Sequence, residues 1–478
     1  MDYEPVIGLE FHAQLKTNSK LFCGCKNDTE EREPNIYICP VCLGMPGTLP
    51  VLNKKAVELV ILAGLALNGK INKKSKFDRK HYFYPDLPKG YQISQYDEPL
   101  VLGGFIPFKD KKLEIRRIHL EEDTGRMIHP EGKNYSLIDY NRSGTPLMEL
   151  VTEPTFKGAE EAKFFAEELQ RVLVILGISS AEMENGNLRC EANVSLRKSG
   201  EKKLPNYKVE IKNLNSFKAL FDGINFEIER QEKLLKNGEV PKQETRGWDA
   251  SKKETFPQRS KENAEEYRYF PDPDLPPLLI SEEEIEVLRL KVQEMPWQTR
   301  ERLISSGVPS NLSNVFVDNR NLLNFLIKST NNLLFEPSET SKFIAGDFVR
   351  TVSELGLSLK DNCEEILFPD YVYEIISMLK SKEISRKLVK EHLSEIIAEK
   401  VSPKAYFSSK GILLESNEES LEAVVRNVLE KNKKAVDDYK KGKTAVLGFL
   451  IGQVMKETKG QANPNVLKHI IERVLVEY

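Results

Sequence analysis

The sequence predicts an α+β protein in which a large domain built on an antiparallel sheet is followed by an all-helical domain and a small helical tail. Three observations support this fold class. Before about residue 290 the chain contains all of its strict two-residue alternation of apolar and polar side chains, together with most of its Pro–Gly turns. From about residue 281 onward, apolar residues recur at helical spacing. The last part of the chain is also helical in pattern but differs in charge. We expect domains at residues 1–292, 293–404 and 405–478.

Size and composition exclude several classes of protein. The chain has 478 residues, of which 70 are Lys or Arg and 73 are Asp or Glu, so its formal net charge is −3. A protein that coats nucleic acid through overall positive charge is excluded, and a polyanionic partner has to bind a local basic surface. The longest apolar stretch, residues 60–67, is too short to cross a bilayer, and the first residues carry no secretory signal. We therefore expect a cytoplasmic protein with no membrane partner.

Alternation of apolar and polar residues predicts the strands, because residues two apart on a strand share a face. The segments that alternate are 5–16, 113–123, 136–143, 188–196 and 206–214. On the first of them, Glu10 and His12 lie opposite an apolar face. The polar positions of the last two segments are Arg189, Glu191, Asn193, Lys208, Glu210 and Lys212.

Two explanations fit one such polar face: an antiparallel sheet with one side in water, or a binding site. Several strands that carry histidine and short acids together favour a site for Mg²⁺ and phosphate oxygens. The predicted acidic group is Glu10, His12, Glu121 or Glu122, Glu191 and Glu210, with Arg189, Lys208 and Lys212 facing the phosphates of ATP. Alternation places Glu121 with His119 and Asp123. A bulge near residues 116–117 would change this, so periodicity leaves both glutamates open.

Four of the six cysteines form two close pairs. Cys23 and Cys25 are separated by 13 residues from Cys39 and Cys42. This spacing is typical of a tetrahedral tetrathiolate site, most often for Zn²⁺, and it leaves no position open for water. We expect a structural zinc ion. Cys190 and Cys363 lie in apolar patterns, so the chain offers no cysteine nucleophile for hydrolysing glutamine.

Two irregular segments, residues 77–95 and 267–272, place tyrosines among polar donors and Pro–Gly turns. A surface loop held by aromatic side chains would also have this composition. Irregular segments on a sheet scaffold often bind ligands, so we interpret Tyr82, Tyr84 and Lys89 as part of a wall that faces substrate or ATP.

The helical region begins with a capping box, Ser281 with Glu284, ahead of apolar residues at helix spacing. Further helices are predicted at 338–355, 364–380, 383–400, 421–429, 444–457 and 465–476. Residues 431–478 contain ten Lys or Arg and five Asp or Glu residues, a local net charge of +5.

Seven motifs in order resemble the family of B subunits of the bacterial aspartyl/glutamyl-tRNA amidotransferase, over essentially the whole chain. They lie at residues 6–12 (VIGLEFH), 76–86 (KFDRKHYFYPD), 119–125 (HLEEDTG), 188–193 (LRCEAN), 210–216 (EIKNLNS), 268–272 (RYFPD) and 458–464 (TKGQANP).

The resemblance implies a cradle domain similar to the glutamine synthetase fold and an enzyme that is both kinase and transamidase. The side-chain carboxylate of Glu-tRNA(Gln) or Asp-tRNA(Asn) would be phosphorylated by ATP. Ammonia from a partner glutaminase, the A subunit of the complex, would then displace phosphate and give Gln-tRNA(Gln) or Asn-tRNA(Asn), with the small C subunit joining the other two. The resemblance also implies a tail that binds tRNA, which fits the local charge of +5.

The resemblance implies residue roles as well. It assigns Glu10, His12 and Glu122 to Mg²⁺, and so favours Glu122 where periodicity does not decide. Glu191 and Glu210 are added from the strand faces. The competing hypotheses are a non-catalytic, zinc-stabilised tRNA-binding scaffold and a free-standing carboxylate–amine ligase. The acids on the strand faces argue against the scaffold, and the long helical region argues against an enzyme of small substrates.

Overall fold

The computed structural model describes residues 3–28, 33–260, 267–359, 362–413, 418–440, 443–458, 462 and 464–477. The chain divides into two compact units, residues 1–297 and 298–478. The first unit holds the strands and the second is helical, so the α+β class predicted from the sequence is confirmed. The likeness to glutamine synthetase stays an expectation from the resemblance.

All strands of the described residues lie in the first unit. In chain order they are β1 Tyr3–Gln14, β2 Lys70–Ile71, β3 Lys74–Ser75, β4 Asp78–His81, β5 Tyr91–Ser94, β6 Val101–Leu102, β7 Phe105–Phe108, β8 Lys111–Glu122, β9 Arg126–Ile128, β10 Leu137–Asp139, β11 Pro146–Thr152, β12 Leu188–Lys198, β13 Val209–Lys212, β14 Glu244–Asp249, β15 Glu254–Ser260, β16 Phe270–Pro271 and β17 Leu278–Leu279.

The helices follow in the same order along the chain. They are α1 Lys54–Ala66, α2 Ala159–Ile175, α3 Phe217–Lys236, α4 Glu282–Arg289, α5 Pro296–Ser305, α6 Ser310–Asp318, α7 Arg320–Ser329, α8 Pro337–Lys342, α9 Val349–Glu354, α10 Cys363–Ile366, α11 Pro369–Lys380, α12 Arg386–Glu399, α13 Pro403–Lys410, α14 Glu418–Lys431, α15 Lys433–Lys440, α16 Val446–Glu457 and α17 Pro464–Glu477. A π-helical segment, Phe343–Phe348, joins α8 to α9.

The main sheet has ten strands in the order β15-β14-β13-β12-β1-β11-β8-β6-β2, with β7 paired to β8. Its strand pairs are antiparallel except β13 with β14, which are parallel. Parallel neighbours need a long crossover connection, and α3 provides it here. The long strands β1, β8 and β12 form its centre together with β11. Side chains from four neighbouring strands can therefore meet on one face.

The other face of the sheet carries the hydrophobic core. On β1 the apolar residues Ile7, Leu9, Phe11 and Ala13 are fully or almost fully buried, as alternation predicts. Helices α1, α2 and α3 pack against this face, and the ring centroids of Phe11 and Phe165 lie 5.7 Å apart. Burying one such side chain contributes roughly 1.5–3 kcal/mol. One apolar face and one polar face follow directly from the sequence pattern of β1.

Two predicted strands differ from the observed ones. Segment 136–143 contributes only β10, which pairs with β9 in a separate two-stranded sheet. Segment 206–214 contributes β13, which begins at Val209. Lys208 therefore precedes the strand, and it is exposed.

The helical unit contains two groups of buried apolar side chains, one within residues 303–407 and one within 421–475. The first group extends past the predicted boundary at residue 404, to Phe407, and the division of this half into domains stays a prediction. The predicted helix 364–380 is interrupted, because Pro369 begins a new helix, α11, and Phe368 ahead of it is extended.

The predicted capping box is present at the start of α4. The Ser281 side chain accepts a hydrogen bond from the backbone of Glu284, whose own side chain accepts one from the backbone of Ser281. Among the described helices, none is long and apolar enough to cross a membrane.

Candidate functional site

A cavity of about 480 Å³ lies over the polar face of the main sheet. Strands β1, β8, β11, β12, β13 and β14 supply its floor. Lys80 of β4, the tyrosines at 82 and 84 that follow this strand, and Tyr267 supply a wall. Its charged lining residues are Glu10, His12, Lys80, Glu121, Asp123, Arg189, Glu191, Glu210 and Lys212.

His12 lies at the centre of the acidic part of this cavity. Opposite it in the sheet is Glu149 of β11, and opposite Glu149 is His119 of β8. The Nε2 atom of His12 lies 3.4 Å from Oε1 of Glu121, 3.5 Å from Oε2 of Glu149 and 3.9 Å from Oε1 of Glu10. Three carboxylates from three strands therefore surround one imidazole.

The ligand atoms are close enough together to hold a metal ion. Those of Glu10, His12 and Glu149 all lie within 4.8 Å of one another, and so do those of His119, Glu121 and Glu149. Carboxylate oxygens are the ligands that Mg²⁺ prefers, and it usually retains waters and substrate phosphates as well. The donor set fits such an ion.

The titration of this cluster reflects its crowding. Burial, together with the charges of Glu149 and Glu191, raises the pKa of Glu10 to about 7. Burial would lower the pKa of His12, but its hydrogen bond with Glu149 and the neighbouring carboxylates raise it to about 9. The pKa of the buried Glu149 is held well below its usual value by His119 and His12, against the effect of burial. The carboxylates of this cluster thus stabilise a bound proton or cation.

Two cations of the cavity are tied to acids. Nη2 of Arg189 lies 2.8 Å from Oδ2 of Asp123, and Nζ of Lys212 lies 2.6 Å from Oε2 of Glu191. Glu191 stands between Glu10 and Lys212 in one row across β1, β12 and β13. Two positive side chains, those of Arg189 and Lys212, therefore line the same cavity as the acidic cluster.

The wall of the cavity is aromatic. Tyr82 contacts Tyr84 and Tyr267, with ring centroids 6.2 and 6.1 Å apart. Nζ of Lys80 lies 5.1 Å from the ring centroid of Tyr267 and 6.0 Å from that of Tyr82.

On the floor of the cavity, the Thr245 hydroxyl donates a hydrogen bond of 2.8 Å to Glu210.

The four cysteines predicted to bind zinc form a second cluster. The sulfur atoms of Cys23, Cys25, Cys39 and Cys42 all lie within 4.8 Å of one another, close enough to ligate one tetrahedral ion with bonds of about 2.3 Å. A hydrogen bond from the thiol of Cys23 lowers the pKa of the Cys42 thiol to about 5. The hydrogen bond with Cys42 raises the pKa of the Cys23 thiol well above its usual value, and burial raises that of Cys25 to about 11. Four crowded thiols therefore do not all ionise by themselves, and a bound cation would be needed to hold them as thiolates.

Comparison with known proteins covers both units. Residues 5–286 match the family model of the GatB/GatE catalytic domain, and residues 324–475 match the model of the GatB domain. The chain is 45% identical to the B subunit of the aspartyl/glutamyl-tRNA(Asn/Gln) amidotransferase of Caldanaerobacter subterraneus subsp. tengcongensis, over 99% of this chain and 100% of that protein. It is 43% identical to the B subunit of Persephonella marina, with the same coverage, and 42% identical to that of Thermomicrobium roseum, over 99% of each chain.

The chain belongs to the family of aspartyl/glutamyl-tRNA(Asn/Gln) amidotransferase B subunits. The resemblance stated from the motifs is confirmed. The whole cavity lies within residues 5–286, the part that matches the family's catalytic domain.

Most site residues predicted from the sequence line the cavity. They are Glu10, His12, Tyr82, Tyr84, Arg189, Glu191, Glu210 and Lys212. The structure does not bring Glu122, Lys89 or Lys208 to it.

The position of Glu122 corrects the assignment made from the resemblance. Its Oε1 accepts hydrogen bonds from the Ile93 backbone, at 2.9 Å, and from Lys89. Glu122 and Lys89 line a different cavity, of about 210 Å³, beside Cys23 and Cys42. Glu121 takes the place next to His12.

The register of β8 explains this choice. Val151 pairs with Arg117 while Thr152 pairs with Ile115, so the bulge lies at Arg116. Beyond it the alternation is regular, and Glu121 faces the cavity while Glu122 points to the opposite side. The bulge anticipated near residues 116–117 is present, but it precedes the motif and does not change its alternation.

Lys89 and Lys208 are corrections as well. Lys89 lines the smaller cavity with Glu122, and Lys208 precedes β13, so its exposed side chain does not line the main cavity. Three relevant residues were missed altogether: Lys80, Glu149 and Thr245. Glu149 had a usable signal, since it is a lone acid within the apolar run 146–151. A charge in such a run is rarely buried unless it is paired.

Proposed function

We propose that this protein is the subunit of a tRNA-dependent amidotransferase that phosphorylates the side-chain carboxylate of Glu-tRNA(Gln), Asp-tRNA(Asn) or both with ATP, and then amidates it. The observation that carries the proposal is the group of Glu10, Glu121 and Glu149 around His12, in a cavity that also contains arginine and lysine. A carboxylate and a triphosphate are both anions, so bringing them together requires metal ions and cations.

Glu10, His12, Glu121 and Glu149 would hold Mg²⁺. When bound, the ion supplies positive charge that neutralises phosphate oxygens during transfer. Arg189 and Lys212 are the protein's own cations beside it. Asp123 orients Arg189 and Glu191 orients Lys212, so both stay in place without reorganising at the moment of reaction.

The two steps balance as follows. A carboxylate oxygen of the aminoacyl group attacks the γ-phosphorus of ATP, and the bond to ADP breaks. Ammonia then attacks the carbonyl carbon of the acyl phosphate, the bond to phosphate breaks, and one proton of ammonia passes to the departing phosphate. Carboxamide and phosphate are the products.

Ammonia and tRNA come from partners in this proposal. The relatives are named as B subunits, which supports a complex in which the A subunit is the glutaminase and the C subunit is a third component. The positive end of the chain, residues 431–478, would bind tRNA through its phosphates. The four cysteines would hold a structural zinc ion, and the protein would act in the cytoplasm.

The scaffold alternative is less well supported, because a surface that only binds tRNA has no need of buried acids. A ligase of small substrates would release ADP without tRNA. The test uses the complex of this chain with the A and C subunits, supplied with ATP, Mg²⁺ and ammonium chloride. We expect ADP to form only when Glu-tRNA(Gln) or Asp-tRNA(Asn) is added, together with amidated tRNA. ADP formation without tRNA, or none with either tRNA, contradicts the proposal.

A further inference from the structure

Lys80 is the cation of the cavity that the sequence analysis did not single out. It lies on β4, in the small sheet of β16, β4 and β5, and not on the main sheet. Its ammonium group lines the cavity and lies within 6.0 Å of the ring centroids of Tyr82 and Tyr267. Burial alone would lower the pKa of Lys80, but the charges of Glu121 and Glu149 raise it above its usual value. The group is therefore charged at neutral pH.

Lys80 differs from the other lining cations in its partners. Arg189 is paired with Asp123, and Lys212 with Glu191. Within the described part of the chain, the ammonium of Lys80 forms cation–π contacts only, with no ion pair and no hydrogen bond. Its three N–H donors thus face the cavity, where the oxygens of a ligand or of water can accept from them.

The segment that carries Tyr267 is held in place by contacts that do not involve Lys80. The neighbouring residue, Arg79, places Nε 2.8 Å from Asp272 and Nη2 2.9 Å from Asp274. Tyr269 stacks on Tyr96 with ring centroids 4.2 Å apart. The segment that carries Tyr267 is thus held against β4 and the residues that follow β5.

An ammonium held by rings keeps its N–H donors for another partner. A carboxylate partner would have used them, as it does at Lys212. The ligand that fits is an anion with several oxygens, placed between Lys80 and the acidic cluster that would hold Mg²⁺. A phosphoryl group has this chemistry.

We propose that Lys80 is a catalytic residue whose ammonium binds the oxygens of the phosphoryl group as it passes from ATP to the substrate carboxylate, and again as it leaves as phosphate. This inference rests on the proposed function. Three equatorial oxygens carry the charge of a transferring phosphoryl group, and Lys80 supplies three donors. No covalent bond to Lys80 forms or breaks.

The backbone phosphates of tRNA offer the same chemistry as the γ-phosphate, so the experiment has to separate them. In the assembled complex, Lys80→Met removes the charge and keeps most of the side chain's length, and Lys80→Arg restores a cation. Lys112→Met is the matched control. Lys112 also lies against a ring, with Nζ 4.1 Å from the ring centroid of Phe105, but it is exposed and does not line the cavity. Three quantities are measured: the single-turnover rate of tRNA-dependent ADP formation, the Kd for tRNA, and Mn²⁺ binding.

We expect Lys80→Met to slow ADP formation at least about 100-fold, the typical cost of losing one donor to a developing charge. Lys80→Arg should form ADP at least about tenfold faster than Lys80→Met. Lys112→Met should form ADP at the wild-type rate. The binding of tRNA and of Mn²⁺ should stay unchanged in all three variants. Three results would overturn the inference: a Lys80→Met rate within about threefold of wild type, a rise in the tRNA Kd that accounts for the loss, or a loss of Mn²⁺ binding. A wild-type complex that forms no ADP with tRNA would instead contradict the proposed function itself.

Discussion

Glu149 faces His12 directly across the pair of β1 and β11, and its Oε2 lies 3.5 Å from Nε2 of His12 and 3.2 Å from Nε2 of His119. One buried carboxylate thus joins two histidines from strands on either side of it. Both groups of ligand atoms that could hold a metal ion share this residue. Glu149 is therefore the residue on which the acidic cluster depends most.

The alternation of β8 predicts different roles for two adjacent glutamates. Glu121→Gln should weaken Mn²⁺ binding at least about tenfold, because it removes a charged ligand beside His12. Glu122→Gln is the matched control and should leave Mn²⁺ binding within about twofold of wild type, because its carboxylate lies in the other cavity with Lys89. Titration followed by electron paramagnetic resonance measures both. The reverse order of effects would restore the assignment to Glu122.

The raised pKa of Glu10 predicts that metal binding depends on pH. The ion requires the ionised carboxylate, and a pKa of about 7 leaves Glu10 mostly protonated at pH 6 and mostly ionised at pH 8. Mg²⁺ affinity should therefore rise with pH, by at least about tenfold between pH 6 and pH 8, and binding should release protons. His12, with a pKa of about 9, adds to the effect in the same direction. Calorimetry in buffers of different ionisation enthalpy tests this, and an affinity that is constant between pH 6 and 8 would contradict it.

The cysteine cluster predicts one zinc ion per chain. Cys39→Ser should lower the zinc content and the Tm, because a structural ion contributes directly to the folding free energy. Cys363→Ser is the control and should keep the zinc, since Cys363 lies in the helical unit. Elemental analysis and thermal unfolding measure the two effects. Equal zinc content in both variants would exclude the cluster as the binding site.

The anchor of the aromatic wall predicts unequal effects for two aspartates. The Asp272 side chain is fully buried against Arg79, whereas that of Asp274 is one-third exposed. Asp272→Ala leaves a half-buried guanidinium without its nearest carboxylate and should cost about 3 kcal/mol of unfolding free energy. Asp274→Ala should cost less than about 1 kcal/mol. Denaturant unfolding distinguishes them, and equal losses would mean that the buried contact does not hold the segment.

Much of the site is predictable because a strand has a fixed period. Glu10, His12, Arg189 and Glu191 lie where alternation places them, since β1 and β12 are long and regular. The choice between Glu121 and Glu122 depended on where the bulge fell, and a bulge is set by packing between strands rather than by local residue preference.

The remaining residues depend on contacts between distant parts of the chain. Lys80 lies on β4, which pairs locally with β5, but its ring partner Tyr267 approaches it from the segment whose strand β16 pairs with β4 across almost two hundred residues. No local pattern shows that pairing. Lys208 fits the alternation but lies outside the strand, because β13 starts at Val209.

The most direct test of the account compares Glu149→Gln with Glu153→Gln in the assembled complex. Glu153 follows the same strand, β11, but pairs with Arg116 at the surface, 2.7 Å away. Both variants are assayed for ADP and amidated tRNA with ammonium chloride, which makes the glutaminase step unnecessary, and for tRNA binding. We expect Glu149→Gln to bind tRNA normally but to form both products at least about 100-fold more slowly, whereas Glu153→Gln should be unchanged. Full activity of Glu149→Gln would show that phosphoryl transfer does not take place in this cavity.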